Sequence, residues 1–268
     1  MATEMKIAHT VVGSGDPVLL VSGLGQRGER WSRVARMLAD DFTVVTVDNR
    51  ETGDTGPCPD GFLLSDLATD AVGVMTALGH DRFFLAGISM GGMISQEIIR
   101  LFPERIRAAG LFSTHGGAAD SIPPADPGVL LGSGPPPTTE AEVLERATAS
   151  WNRLYGPGFG AAHPEILAAE ARIGATKPTR AEGYIRQFQA IVQWNPGDAL
   201  VGTDVPLVIA HGDTDPLVPY ENGVRLAARL GLELITYEGA GHLLESERAE
   251  EVTELLRTHF QKAAANGR

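Results

Sequence analysis

The 268-residue sequence contains a single cysteine, Cys58. One cysteine excludes an internal disulfide and any metal site built from several cysteines. Because Cys58 lies in the Gly/Pro-rich segment TGPCPDG, we interpret it as a loop residue and not as a nucleophile. Long hydrophobic runs are absent too: there is no stretch of about 18 apolar residues that could cross a bilayer. The first ten residues lack the features of a secretory signal, and we expect a cytoplasmic protein.

Positive charge is scarce. The sequence has 22 Lys and Arg against 34 Asp and Glu, which gives a formal net charge of -12. This balance argues against nucleic acid and against an anionic membrane surface as partners, since both require clustered basic residues. No His, Asp or Glu cluster has the spacing of metal ligands, so we expect neither a metal nor another cofactor. A small-molecule substrate remains the expected partner, and the oligomeric state is open.

Apolar runs rich in Val, Leu and Thr alternate with segments of helical periodicity along most of the chain. Such alternation predicts an α/β protein with a mostly parallel central sheet and helices on both faces. A strand around Lys6–Val12 is expected to add an antiparallel edge. The predicted strands are residues 17–22, 42–47, 82–87, 108–113, 205–210 and 232–237, and the predicted helices are residues 30–39, 65–78, 90–101, 220–230 and 246–262.

The alternation stops between about Thr114 and Asp204. Residues 116–138 are rich in proline and glycine, which is typical of a loop. Three helical patterns follow without a strand signal between them, at residues 139–153, 164–172 and 179–193. We therefore predict one core, formed by residues 1–114 and 205–268, with residues 115–204 inserted as a helical segment.

The strongest chemical signal is the motif Gly87-Ile88-Ser89-Met90-Gly91, between a predicted strand and a predicted helix. In a strand–turn–helix context, G-x-S-x-G is specific for a turn that exposes a nucleophilic serine. Glycines are needed beside Ser89 because the turn is too tight for side chains there. A hydroxyl is a poor nucleophile until a base removes its proton, so the sequence must also supply a base.

His242 is the candidate base, because it follows the last predicted strand in the small-residue segment GAGH. An imidazole base needs a carboxylate that fixes its tautomer, and two aspartates follow the strand before it. We choose Asp215, which precedes a proline, and expect Asp213 to shape the turn. His211 ends the same strand and is expected to serve in packing or hydrogen bonding. The chain order Ser89, Asp215, His242 is the one expected for this architecture.

Together GISMGG, HGDTDPLVP and GAGH resemble the α/β-hydrolase superfamily over nearly the whole chain. The resemblance implies an α/β-hydrolase fold in which residues 115–204 take the place of the variable cap. The segment Asp48–Thr55 is similar to the D-x-R-G-x-G-x-S loop of that family. Its Arg–acidic–Thr–Gly form resembles methylesterases that act on aromatic polyketides, although Glu51 replaces the usual glycine or aspartate.

The resemblance also implies an oxyanion hole made of two backbone amides. One belongs to Met90, next to the nucleophile, and the other to Leu24 in the loop after the first core strand. Ser22 stands where family members usually carry histidine, which leaves the support of this loop in question. Gly23 and Gly25 of the same loop are candidate substrate-binding residues.

Three further residues are candidates for substrate binding: His115, which follows a strand end, and Trp151 and Phe188 in the predicted cap. A purely structural role is the alternative for each of them. Asp120 is a weak alternative acid. Near the oxyanion loop, a solvated surface is the simplest interpretation of Gln26, Arg27 and Arg30.

These residues predict a serine hydrolase that cleaves a carboxylic ester of a small, moderately apolar substrate through an acyl-enzyme. Hydrolysis of a C–C bond or a thioester, or cofactor-free perhydrolysis, remains an alternative on the same scaffold. A small-ligand binding protein that retains the triad is a further alternative, because fold does not determine function. So is a scaffold that orders a partner protein.

Overall fold

The computed structural model describes residues 5–58, 60–130 and 138–266. Its sheet has seven strands in the order β1-β3-β2-β4-β5-β6-β7, and only β1 is antiparallel to its neighbour. The strands are β1 (His9–Val12), β2 (Asp16–Val21), β3 (Phe42–Val47), β4 (Phe83–Ile88), β5 (Ile106–Phe112), β6 (Leu207–Gly212) and β7 (Leu234–Tyr237). The sheet therefore confirms the predicted α/β class and its antiparallel edge strand.

Ten α-helices lie within the described residues. They are α1 (Ser32–Leu38), α2 (Leu64–Ala77), α3 (Met90–Leu101), α4 (Glu140–Asn152), α5 (Phe159–Ala162), α6 (Pro164–Thr176), α7 (Ala181–Gln193), α8 (Tyr220–Leu230), α9 (Leu244–Glu247) and α10 (Ala249–Asn266). None of the helices in the described part of the chain is long and apolar enough to cross a membrane.

The two faces of the sheet carry separate hydrophobic cores. Helices α2 and α3 cover one face, and α1 and α10 cover the other. Strand β4 shows why the chain forms such a sandwich: every residue is buried, and successive side chains alternate between the cores. Leu85 belongs to the core under α2 and α3, whereas Phe84 and Ala86 belong to the opposite one.

Local backbone chemistry moves several strand boundaries away from the predicted ones. Strand β6 begins at Leu207 because Pro206 has no N–H to donate to a ladder. Strand β7 begins at Leu234 because the amide of Leu232 still donates to Ala227 and closes α8. The helix predicted over residues 246–262 is in fact two helices, interrupted at Arg248, where φ is −126° and ψ is 38°.

The chain between β5 and β6, residues 113–206, is called the inter-strand segment below. Its described residues contain four α-helices and no strand. Helices α4, α6 and α7 match the three predicted patterns, and α5 was not foreseen. Strands β5 and β6 are adjacent and parallel. The segment therefore starts at the carboxyl ends of the strands and finishes at their amino ends.

Candidate active site

Ser89 sits between β4 and α3 in a strained backbone conformation, with φ 57° and ψ −122°. The glycines of the motif are sterically required. A Cβ on Gly87 would lie 2.1 Å from the carbonyl oxygen of Gly91, and a Cβ on Gly91 would lie 2.1 Å from that of Val21. Positive φ costs a non-glycine residue roughly 1–2 kcal/mol, so the surroundings must hold Ser89 in place.

Hydrogen bonds fix the Ser89 backbone at both its N–H and its carbonyl oxygen. Its N–H donates to Phe112 at 2.9 Å, and its carbonyl oxygen accepts from the Thr114 hydroxyl at 2.8 Å and from the amide of Gly92 at 2.9 Å. The serine is thereby held at the carboxyl edge of the sheet, before the N-terminus of α3. The partial positive charge at that helix end favours negative charge on or near Ser89.

Asp215 and His242 form a buried hydrogen bond, with 2.7 Å between Oδ2 of the carboxylate and Nδ1 of the imidazole. The second carboxylate oxygen accepts from the amides of Leu217 and Val218, each at 2.8 Å. Burial alone would raise the pKa of Asp215, but the charge of His242 and the hydrogen bonds from His242 and His211 lower the pKa to about 2. Asp215 is therefore ionised at neutral pH.

His211 is a second histidine beside this carboxylate. Its Nε2 lies 2.8 Å from the carbonyl oxygen of Val218 and 3.2 Å from Oδ2 of Asp215. Because both neighbours are acceptors, Nε2 must carry the proton. Its Nδ1 is buried, has no hydrogen-bond partner in the part of the chain that the structure describes, and faces Gly223, where a Cβ would approach to 2.5 Å. The expected packing and hydrogen-bonding role of His211 is confirmed.

Neither of the alternative acids, Asp213 and Asp120, forms a hydrogen bond with His242. The exposed carboxylate of Asp213 accepts from the amide of Gly239 at 2.7 Å, which confirms its role in shaping the turn. Asp120 pairs with Arg229. Asp215 is thus the aspartate that contacts the histidine.

The elements bring Ser89, Asp215 and His242 to one edge of the sheet, after β4, β6 and β7 respectively. In the described ranges, no hydrogen bond of ordinary geometry joins the Ser89 hydroxyl to His242. Such bonds are often long in unliganded enzymes and shorten when substrate binds.

The loop after β2 lies against the serine. A Cβ on Gly23 would be 3.2 Å from Cβ of Ser89. Gln26 closes the loop through two hydrogen bonds to Gly23. Its backbone N–H donates to the Gly23 carbonyl at 3.1 Å, and its side-chain Oε1 accepts from the Gly23 N–H at 3.3 Å. Neither the Leu24 nor the Met90 amide has an acceptor among the described residues. Both remain available to a ligand.

Ser22, in place of the family histidine, stabilises the same loop. Its hydroxyl donates to the carbonyl of Arg27 at 2.9 Å, and its own carbonyl accepts from Asn49 at 3.3 Å. The loop therefore has support without an imidazole at this position.

The three predicted substrate-binding side chains lie in different surroundings. His115 is buried, and its Nδ1 accepts from the amide of Gly117 at 3.2 Å. Burial, together with the charge of His211, lowers the pKa of His115 to about 4. Trp151 lies beneath the guanidinium of Arg30, 4.3 Å from the ring centroid. Phe188 is half-buried on α7. A substrate contact for any of them stays a prediction.

A buried ion cluster was missed by the sequence analysis. Arg30 is 2% exposed and pairs with Glu170 of α6 and, at 3.4 Å, with Glu245 of α9. The Glu170 carboxylate also accepts from the hydroxyl of Ser246 at 3.3 Å. The solvated-surface interpretation was therefore wrong for Arg30, and equally for the buried Gln26. Nothing in the sequence links positions so far apart.

Glu51 occupies a position where φ is 76°, a left-handed backbone conformation that favours glycine. Its buried carboxylate accepts from the amide of Cys58 and from Nε of Arg186, both at 2.7 Å. Burial opposes ionisation, but these two hydrogen bonds and the charge of Arg186 lower the pKa of Glu51. The substitution thus ties the Asp48–Thr55 loop to α7.

A sequence model of the alpha/beta hydrolase family matches residues 18–255. The chain belongs to this family. The match confirms the expected fold class and the expectation of a hydrolase enzyme. It spans β2 through the first half of α10, and so includes every candidate site residue.

Two relatives and one solved structure illustrate what this alpha/beta hydrolase is similar to. RutD of Rhizobium rhizogenes, a candidate carbamate hydrolase, is 30% identical over 242 residues, which cover 87% of this chain and 88% of RutD. The rhodomycin D methylesterase DnrP of Streptomyces peucetius is 25% identical over 98% of both chains, in line with the predicted similarity to methylesterases. A thermophilic esterase from Thermogutta terrifontis has the same fold, with a TM-score of 0.77, 24% identity, and coverage of 96% of this chain and 93% of the esterase.

Proposed function

We propose that this alpha/beta hydrolase cleaves a carboxylic ester of a small, moderately apolar substrate, with Ser89 as nucleophile, His242 as base and Asp215 as the orienting acid. The observation that carries the proposal is the buried 2.7 Å hydrogen bond between His242 and Asp215, at the sheet edge where the strained Ser89 stands. This bond leaves Nε2 of His242 as the free nitrogen of the base.

The reaction proceeds by two acyl transfers. His242 takes the proton of the Ser89 hydroxyl as its oxygen attacks the ester carbonyl, and the carbonyl oxygen becomes an oxyanion. The amides of Leu24 and Met90 donate to that oxyanion. The tetrahedral intermediate then expels the alcohol, which takes the proton from His242, and an acyl-enzyme ester remains on Ser89.

Water completes the cycle. His242 accepts a proton from water, whose oxygen attacks the acyl carbonyl. When the second tetrahedral intermediate collapses, its bond to the Ser89 oxygen breaks, His242 donates the proton to that oxygen, and the acid leaves. Asp215 stays ionised throughout and stabilises the imidazolium formed in each step. Its pKa of about 2 fits that role.

We also propose that residues 115–204 act as the cap. Two contacts support this assignment: the amide of His242 donates to the carbonyl of Leu154 at 2.7 Å, and the amide of Gly25 donates to Gln187 at 2.7 Å. Residues of the inter-strand segment thus bind the backbone on both sides of the candidate site. The proposed partner is the small substrate alone, in the cytoplasm.

The test is hydrolysis of an aryl ester panel by wild type, Ser89→Ala and Ser14→Ala. Ser14 is exposed, before β2 at the opposite sheet edge, and serves as the matched control. We expect Ser89→Ala to lose activity by about 10⁴-fold or more with its unfolding temperature retained, and Ser14→Ala to match wild type. Retained turnover in Ser89→Ala would remove the mechanism. A methyl ester, a thioester and a carbamate in the same panel determine the bond type.

A further inference from the structure

Gly25, the residue after the candidate oxyanion donor, is bound on both sides of its backbone by the inter-strand segment. Its N–H donates to Oε1 of Gln187 at 2.7 Å, and its carbonyl oxygen accepts from the hydroxyl of Thr179 at 2.9 Å. The ring of Tyr184 lies so close that a Cβ on Gly25 would approach it to 3.0 Å. The φ of Gly25 is 69°. Glycine suits this left-handed backbone conformation and leaves room for the ring of Tyr184.

The side chain of Gln187 is committed at both ends. It is fully buried on α7, and its Nε2 donates to the carbonyl oxygen of Arg50 at 2.7 Å. Oε1 thus faces a donor and Nε2 faces an acceptor, so the amide has one orientation that satisfies both contacts. Gln187 bridges the loop after β2 and the loop after β3.

These contacts restrict the directions that the Leu24 amide can take. The Leu24 N–H lies in the planar peptide unit that joins Gly23 to Leu24, so its direction depends on ψ of Gly23 and φ of Leu24. Fixing the next peptide unit, which carries the Gly25 N–H, restricts the dihedral angles of Leu24. Gly23 is held on one side by Gln26, and Gly25 on the other by Gln187 and Thr179. The contacts on the Gly25 side therefore come from outside the loop.

We propose that Gln187 and Thr179 are positioning residues that aim the Leu24 amide at the developing oxyanion, so that the oxyanion hole is complete only while α7 is packed on the loop. This inference rests on the proposed function. It assigns to the inter-strand segment a part in catalysis besides covering the site.

Such a role has a distinct kinetic signature. An oxyanion donor acts on the transition state, so its displacement lowers kcat while KM changes little. It also weakens the binding of a trifluoromethyl ketone, which forms a tetrahedral adduct with the serine, by a similar factor. A purely structural role would lower the unfolding temperature without this correlated loss.

The experiment compares Gln187→Met and Thr179→Val with wild type, using an aryl ester and an aryl trifluoromethyl ketone. Gln193→Met is the matched control, because Gln193 is exposed on the same helix. We expect kcat and ketone affinity to fall together by about 10- to 100-fold in Gln187→Met and by less in Thr179→Val, with an unchanged pH profile. Thr179→Ser, which keeps the hydroxyl, should restore both quantities.

Ketone affinity within about twofold of wild type in folded Gln187→Met would overturn the inference. If Gln187→Met does not fold, Thr179→Val and Thr179→Ser decide: equal ketone affinity in both overturns it. The two proposals fail separately. Activity retained by Ser89→Ala removes the proposed function, whereas an inactive Ser89→Ala beside a fully active Gln187→Met removes this inference alone.

Discussion

Oδ2 of Asp215 lies 2.7 Å from Nδ1 of His242, and both side chains are buried. The contact explains why two aspartates, two residues apart, have different roles. The amides of Leu217 and Val218 turn the Asp215 carboxylate inward, whereas the Asp213 carboxylate stays at the surface and closes a turn. The proline after Asp215 removes a donor that would otherwise need a partner in this tight turn.

The first prediction concerns that pair of aspartates. Asp215→Asn should lower kcat for an aryl ester by about 10³- to 10⁴-fold, because an amide no longer fixes the tautomer or stabilises the imidazolium. Asp213→Asn is the control and should stay within about twofold of wild type, since its oxygen can still accept from Gly239. Steady-state kinetics of the two variants checks this. Equal losses in both would reverse the assignment.

The second prediction is a pH dependence of stability that arises from His115. Burial lowers its pKa to about 4 in the folded protein, against 6.5 ordinarily. As the pH falls, the unfolded chain therefore binds a proton before the folded protein does. The contribution of neutral His115 to the unfolding free energy is fully present above pH 6.5 and is lost as the pH falls towards 4. The loss amounts to about 3 kcal/mol of unfolding free energy.

Denaturant unfolding of wild type and His115→Asn across this pH range measures that contribution. Asparagine keeps an oxygen that can accept from Gly117 but has no titrating group. We expect a flatter pH profile in the variant. Parallel profiles for the two proteins would show that His115 titrates normally.

The third prediction tests the contact between the inter-strand segment and the histidine loop. A Cβ on Gly241 would lie 2.4 Å from backbone atoms of Leu154 and Tyr155, which cannot move without shifting the segment. Gly241→Ala should therefore cost about 1–3 kcal/mol and lower kcat, because the neighbouring His242 amide donates to Leu154.

Gly73→Ala is the control for that substitution. Gly73 lies on the exposed face of α2, and a Cβ there would meet no described atom within 4 Å. This variant should gain up to about 1 kcal/mol from helix propensity and retain full activity. If Gly241→Ala were as stable as Gly73→Ala in thermal unfolding, the packing described between segment and loop would be wrong.

The fourth prediction concerns the buried ion cluster. Arg30→Met leaves Glu170 and Glu245 buried without their cation and should cost about 3–5 kcal/mol near neutral pH. Burial already raises the pKa of Glu245, so the cost should shrink in acid as that carboxyl group protonates. Arg33→Met is the control. Arg33 pairs with the exposed Glu250 and donates to the carbonyl of Ser246 at 2.8 Å, so a loss of about 1 kcal/mol is expected. A pH-independent cost in Arg30→Met would contradict the ionic role.

Local patterns predicted the parts of the molecule that depend on neighbours in sequence. The buried run of β4, the helix of α3 and the glycine-bounded turn at Ser89 follow from residues within a few positions of one another. The same holds for Asp213, whose turn-forming role is common for an aspartate after a strand. These features require no knowledge of the rest of the fold.

Long-range contacts could not be predicted in this way. The sequence predicts Arg30 on a solvated surface, and only the fold brings Glu170 and Glu245 next to its side chain. Gln187 looks like an ordinary polar position of an amphipathic helix, yet it is fully buried because two backbone groups of other loops satisfy its amide. Polar side chains with such distant partners carry no periodic signal.

The most direct test of the central claim is the rate at which a fluorophosphonate labels the protein, with the site mapped by peptide mass spectrometry. If His242 activates Ser89, the wild type gains one adduct on Ser89, and His242→Ala labels at least about 10³-fold more slowly while remaining folded. Labelling of His242→Ala at the wild-type rate, or an adduct on another residue, would contradict the account.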